Sequence, residues 1–232
     1  MTPKLIVALD FDNEHAALSL IEKLDPKSCA LKVGSELFTL FGTDFVKQLV
    51  KRQFKVFLDL KFHDIPNTVA NACKAGAELG VWMMNVHASG GVSMMQAARR
   101  AVDAYGANRP LLIAVTVLTS FNQTELTSIG INTPIMEHVK KLAILTKESG
   151  LDGVVSSAQE VNLIKRACGD QFITVTPGIR LTDDANDDQS RVMTPEQAIK
   201  EGSDYLVVGR PITQSLNPEL VVAEILKSIQ KS

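Results

Sequence analysis

Eight short apolar runs rich in β-branched residues recur along the chain: Leu5 to Leu9, Cys29 to Val33, Lys55 to Leu60, Val81 to Val86, Leu111 to Leu118, Gly153 to Val155, Ile173 to Val175 and Tyr205 to Val208. Most are followed by apolar residues at helical spacing, so the pattern is strand then helix, repeated eight times. The last helix carries Val222, Ile225, Leu226 and Ile229 on one face, the spacing of a helix laid against a sheet. Thr133-Pro134, Thr194-Pro195 and Asn217-Pro218 each set a capping side chain before a proline at the first helical position. Ser157 with Glu160, and Thr194 with Gln197, fit capping boxes.

Strands so nearly continuous in apolar residues are covered on both faces or closed on themselves. Right-handed βα crossovers repeated eight times then predict an α/β chain folded as a (β/α)8 TIM barrel. A length of 232 residues with 45% hydrophobic content suits one such barrel, so residues 1–232 are expected to form a single domain. An open doubly wound sheet is the alternative, but no Gly-x-Gly-x-x-Gly follows the first strand.

With 24 Lys+Arg against 26 Asp+Glu, nothing drives the chain as a whole toward nucleic acid or an anionic membrane. Any anionic ligand must be held by a local site. The start, Met1-Thr2-Pro3-Lys4, does not read as a secretory signal, and no apolar run approaches a membrane span. Cys29, Cys73 and Cys168 are odd in number and far apart, which fits reduced thiols in a cytoplasmic protein.

The polar residues fall at strand ends. Asp10 closes the first strand, Lys32 the second, Asp59 and Lys61 the third, His87 the fourth and Thr119 the fifth. Pro177-Gly178-Ile179-Arg180 follows the seventh and Gly209-Arg210 the eighth. In a barrel these converge on the carboxyl-terminal rim, where active sites of this fold are built. Residues two apart on a strand point the same way, so Asp59 and Lys61 are expected to share a face, with Asp64 just beyond. With Lys32 added, the signs alternate and each charge favours the ionised state of its neighbour. Such an array could merely close the barrel top; four groups aimed at one spot point instead to chemistry.

The loops after strands seven and eight are where this fold commonly holds phosphate, and Arg210 offers a fork of donors suited to a dianion. The polar stretch Leu181 to Arg191 reads as a lid over that side, with Arg180 and Gln189 as grips. His15 and His138 fall in helical patterns as surface residues, His63 could orient the array, and Trp82, Met83 and Met84 read as core. Two lysines among Asp10, Asp59 and Asp64 disfavour a dication, so no metal is expected.

The chain resembles the bacterial type of orotidine 5'-phosphate decarboxylase. The resemblance rests on Ala8-Leu9-Asp10, Leu31-Lys32-Val33-Gly34, Asp59-Leu60-Lys61-Phe62-His63-Asp64-Ile65-Pro66-Asn67-Thr68, Val117-Leu118-Thr119-Ser120, Thr176-Pro177-Gly178-Ile179-Arg180 and Val208-Gly209-Arg210-Pro211-Ile212-Thr213, in family order. It implies conversion of orotidine 5'-monophosphate to uridine 5'-monophosphate and CO2 in de novo pyrimidine synthesis, with no cofactor. It also implies a homodimer in which Asp64 and Thr68 complete the partner's site. By family position Lys61, Asp59, Lys32 and Asp64 are catalytic. Asp10 and Lys32 hold ribose hydroxyls, Thr119 lies by the pyrimidine, and Pro177, Arg180, Gln189, Gly209 and Arg210 lie at the phosphate end.

Asp-x-Lys-x-x-Asp alone is shared with magnesium-dependent sugar-phosphate decarboxylases and hexulose phosphate synthases. Those carry a metal-binding acid at the end of strand two, where this chain has Lys32. A nucleotide-binding barrel without activity is a further alternative, and its signature would be a phosphate grip beside a dismantled acid; Lys61 and its aspartates are all present.

Overall fold

Each of the eight apolar runs becomes a strand, and all pair in parallel with their sequence neighbours. A computed structural model describes residues 2–181 and 192–230. Its strands are β1 (Leu5–Leu9), β2 (Ala30–Gly34), β3 (Val56–Phe62), β4 (Met83–His87), β5 (Leu111–Val115), β6 (Gly153–Val155), β7 (Ile173–Thr176) and β8 (Tyr205–Val208). They close in the order β1 to β8, with β8 returning to pair with β1. Helices alternate with them, among them α1 (Glu14–Ile21), α2 (Ser35–Lys51), α3 (Pro66–Glu78) and α4 (Gly91–Asp103). The fold is the expected TIM barrel.

Strand periodicity divides the core in two. Leu5, Val7 and Leu9 of β1 face the helices, whereas Ile6 and Ala8 face the barrel axis with Ala30, Phe57, Met83, Ile113, Val175 and Val207. These inward residues fill the barrel so that it is a packed core with a floor. One position admits only glycine: a Cβ at Gly153 would lie 2.2 Å from the carbonyl oxygen of Ile173, its partner in the β6–β7 register. The final helix (Pro218–Gln230) buries Val222, Ile225 and Ile229.

The amino-terminal face is sealed by ion pairs that are fully used. Asp152 accepts from Arg109 at 2.7 and 2.8 Å, from Arg99 at 3.2 Å and from the Leu112 amide at 2.8 Å. Lys165 meets Asp204 at 2.7 Å, and the same carboxylate oxygen accepts from the Thr174 amide at 2.8 Å. These charges bind the ends of strands to one another, the structural use of charge in this fold.

Two expectations about local structure change. β5 ends at Val115, not Leu118, so Thr119 belongs to the loop beyond. The helix expected to be capped by Thr133 starts at Ile135 with Pro134 at its cap position. Its first amide is capped from a distance: Gln123 Oε1 accepts from the Ile135 N–H at 2.8 Å and Gln123 Nε2 donates to the Thr133 carbonyl at 3.2 Å. Thr194 with Gln197 and Ser157 with Glu160 do form capping boxes, the second opening a short 3-10 turn.

Candidate active site

The site follows from carrying the inward positions two residues further along each strand. Ala8 is followed by Asp10, Ala30 by Lys32, Phe57 by Asp59, Met83 by Asn85, Val175 by Pro177 and Val207 by Gly209. Apolar floor thus gives way to polar rim within one strand period. The resulting cleft has a volume of about 290 Å³ and is lined by Asp10, Lys32, Asp59, Lys61, Thr119, Pro177, Arg180, Gly209 and Arg210, among others. That is close to the lower end of the ~300–1,000 Å³ typical of small-molecule sites.

Charges alternate across the cleft. Lys32 Nζ lies 3.3 Å from Asp10 Oδ1 and 3.4 Å from Asp59 Oδ2, and Lys61 Nζ lies 2.9 Å from Asp59 Oδ1. Two ammonium groups and two carboxylates therefore sum to zero while leaving a steep local field. The Lys32 side chain is only 11% exposed. Burial favours its neutral form, but the Asp59 and Asp10 carboxylates outweigh it and hold its pKa above the ordinary lysine value. Gly34 leaves it room: a Cβ there would lie 3.2 Å from Lys32 Nζ. Lys61, with its side chain 34% exposed, is the ammonium that opens into the cleft.

Lys61 reaches this place by a route that strand alternation does not describe. The β3–β4 register runs Leu58 opposite Met84 and then Phe62 opposite Val86, so β3 holds two residues more than β4 over that interval. Within this bulge Lys61 takes φ of 53°, a left-handed conformation costing about 1–2 kcal/mol for a residue with a Cβ. Asp59 and Lys61 do face one cleft, but through the bulge and not by simple period two. Backbone strain of this kind gathers at functional sites.

Asn85 was not among the expected site residues. Fully buried on β4, it donates from Nδ2 to Asp59 Oδ1 at 2.6 Å, and its Oδ1 accepts from the Lys61 amide at 2.8 Å. It is the polar residue in the run Met83-Met84-Asn85-Val86, two beyond an axial position, and that was the available signal. On the same strand His87 packs against His63, with ring centroids 5.4 Å apart and the planes tilted by 39°. Burial, then His63 and Lys61, lower the His87 pKa against a smaller opposing pull from Asp59.

Asp64 and Thr68 do not join the cleft of their own chain. Both are exposed, and the Asp64 carboxylate accepts from the Ile65 amide at 2.6 Å. Arg180 lines the cleft while its guanidinium donates to the Ile179 carbonyl at 3.1 Å. Gln189 and the lid stretch from Thr182 to Arg191 lie outside the described residues. Among the described residues no helix is long and apolar enough to cross a membrane, and no three His, Cys, Asp or Glu side chains are grouped to hold a metal ion.

A closed parallel barrel with a lysine and aspartate array at its carboxyl rim is a (β/α)8-barrel enzyme. The chain belongs to the Orotidine 5'-phosphate decarboxylase / HUMPS family, whose model matches residues 3–225. It is 68% identical over 229 residues to the orotidine 5'-phosphate decarboxylase of Legionella pneumophila (strain Corby), covering 99% of this chain and 100% of that one. Identity to the enzyme of that name from Vibrio cholerae serotype O1 (strain M66-2) is 60% over 227 residues, 98% of each chain. Among solved structures, orotidine 5'-phosphate decarboxylase from Lactobacillus acidophilus superposes with a TM-score of 0.87 at 40% identity, covering 99% of both chains.

Proposed function

We propose that this protein converts orotidine 5'-monophosphate to uridine 5'-monophosphate and CO2 in pyrimidine biosynthesis, with Lys61 protonating C6. The observation that carries the reading is the Lys32–Asp59–Lys61 chain, with contacts of 3.4 and 2.9 Å, opening into a cleft whose rim ends in Arg180 and Arg210. Full-length relatives named for this reaction support it.

When the C6–carboxylate bond breaks, the electron pair stays on C6 in the plane of the ring, where the π system cannot take it up. A cation held beside that carbon must stabilise it. The Lys61 ammonium attracts the developing charge and then transfers a proton to C6; the resulting amine regains its proton from solvent. Asp59 keeps Lys61 in place and lies beside the substrate carboxylate. Lys32 spans Asp59 and Asp10, and it shares the ribose hydroxyls with Asp10. Thr119 borders the pyrimidine, with Pro177, Arg180, Gln189, Gly209 and Arg210 at the phosphate. The reaction as written needs no metal or organic cofactor.

The active form in this reading is a cytoplasmic homodimer of single-domain protomers spanning 1–232, with the partner's Asp64 and the partner's Thr68 completing each site. The exposure of Asp64 and Thr68, outside the cleft of their own chain and beside Ile65 at 66% exposure, supports that sharing. The test is the ultraviolet absorbance of orotidine 5'-monophosphate mixed with purified protein in excess EDTA. Conversion to uridine 5'-monophosphate is expected; a folded protein that turns over only sugar phosphates, or only with added magnesium, would overturn the proposal.

A further inference from the structure

We propose that Asn85 is a positioning residue of the rim array, its single side-chain amide holding both the Asp59 carboxylate and the Lys61 backbone. The kinetic consequence rests on the decarboxylase reading above; the geometric one does not.

Asn85 sits opposite the bulge. Between the pairs Leu58–Met84 and Phe62–Val86 the β3–β4 ladder is interrupted, so the Lys61 amide has no regular acceptor on the neighbouring strand. Asn85 Oδ1 takes that part at 2.8 Å. The other end of the same amide donates to Asp59 Oδ1 at 2.6 Å. Both ends of a fully buried polar group are thus spent on β3, where the array lies.

The chemistry of the partners suits an amide. The Lys61 N–H can only donate and a carboxylate facing two ammonium groups accepts, so the residue between them must offer one acceptor and one donor. A carboxylate at this position would set like charge against Asp59, and an aliphatic side chain would leave the Lys61 N–H unmet and take from Asp59 Oδ1 one of its two donors. With Oδ1 of Asp59 held by Asn85 and Lys61, Oδ2 is left facing Lys32 at 3.4 Å. As Lys61 gives up its proton, one of the two cations beside Asp59 becomes neutral. The Asn85 donor carries no titrating proton and keeps the carboxylate oriented through that step. Asn85 does not line the cleft, so its effect on the substrate passes through Asp59 and Lys61, which do.

The experiment compares wild type, Asn85→Ala and Asn85→Asp, each checked for folding by circular dichroism. For Asn85→Ala we expect kcat for orotidine 5'-monophosphate to fall roughly 10- to 100-fold, the cost of a misplaced reacting group, with KM changed by less than about threefold. In Asn85→Asp the introduced carboxyl can imitate the amide only when protonated, so its kcat relative to wild type should climb as pH is lowered from about 8 to 5. A merely structural role would lower the melting temperature of both variants while leaving kcat per folded molecule unchanged and the pH ratio flat, and that result overturns the proposal. A crystal structure of either variant gives a readout independent of activity. Lys61 should leave the left-handed region or its Nζ should withdraw from Asp59; unchanged geometry would refute the positioning role. Wild-type protein inert toward orotidine 5'-monophosphate sinks the decarboxylase reading instead, and the crystallographic comparison still decides the part played by Asn85.

Discussion

The left-handed conformation of Lys61 can be weighed by replacing that residue twice, with glycine and with alanine. Both variants remove the ammonium and leave Asp59 with Asn85 at 2.6 Å and Lys32 at 3.4 Å, so their electrostatics are the same. They differ in the backbone. At φ of 53° alanine retains the cost of about 1–2 kcal/mol that any Cβ incurs there, whereas glycine does not. The greater freedom of glycine in the unfolded chain takes back about 0.4–1 kcal/mol. Taking the middle of these ranges, Lys61→Gly should be more stable than Lys61→Ala by about 0.8 kcal/mol, or about 2–3 °C in Tm for a chain of this size. Differential scanning calorimetry of the two variants side by side measures this. A Tm for Lys61→Ala equal to or above that of Lys61→Gly would refute the claim that lysine is held in a strained conformation there.

The lowered pKa of His87 means that the unfolded chain binds more protons than the folded one as pH falls through the ordinary histidine value of about 6.5. Stability from this source is full above that value and declines below it, so His87→Gln should flatten the acid limb of a Tm-against-pH curve, though His138 contributes in the same direction; an unaltered limb would contradict this. Burial pushes the Cys29 and Cys73 thiols up to about 12 and raises that of Cys168, so native protein should react slowly with a disulfide reagent at neutral pH and release three thiols in urea. Rapid labelling of Cys29 or Cys73 in the folded state would count against their burial. Arg210→Ala should lower kcat/KM for orotidine 5'-monophosphate by about 10- to 150-fold, the range for a lost hydrogen bond to a charged group. Activity toward the phosphate-free nucleoside should barely change, and an equal loss on both substrates would remove Arg210 from the phosphate end.

Barrel topology was legible in the sequence because eight β-branched runs at regular spacing leave few other ways to bury two strand faces. The rim was legible for a related reason: charges such as Lys32 and Asp59 stand where an apolar run ends, and burial there demands a partner. Residues that depend on geometry between strands were not. The bulge that turns Lys61 left-handed has no marker such as glycine at position 61, and Asn85 looked like one polar residue within a core strand. Its importance emerges only when β3 is seen to hold two residues more than β4 opposite it. Helix starts followed sequence where a side chain caps its own helix, as at Thr194, and failed where the cap comes from elsewhere, as Gln123 does for Ile135.

The most direct test of Lys61 as the acid is a progress curve for orotidine 5'-monophosphate with wild type and with Lys61→Ala at equal concentrations of folded protein, run in deuterium oxide. Wild type should produce uridine 5'-monophosphate bearing deuterium at C6, while Lys61→Ala should bind the nucleotide and release no product above the uncatalysed rate. Substantial turnover by Lys61→Ala would contradict the account.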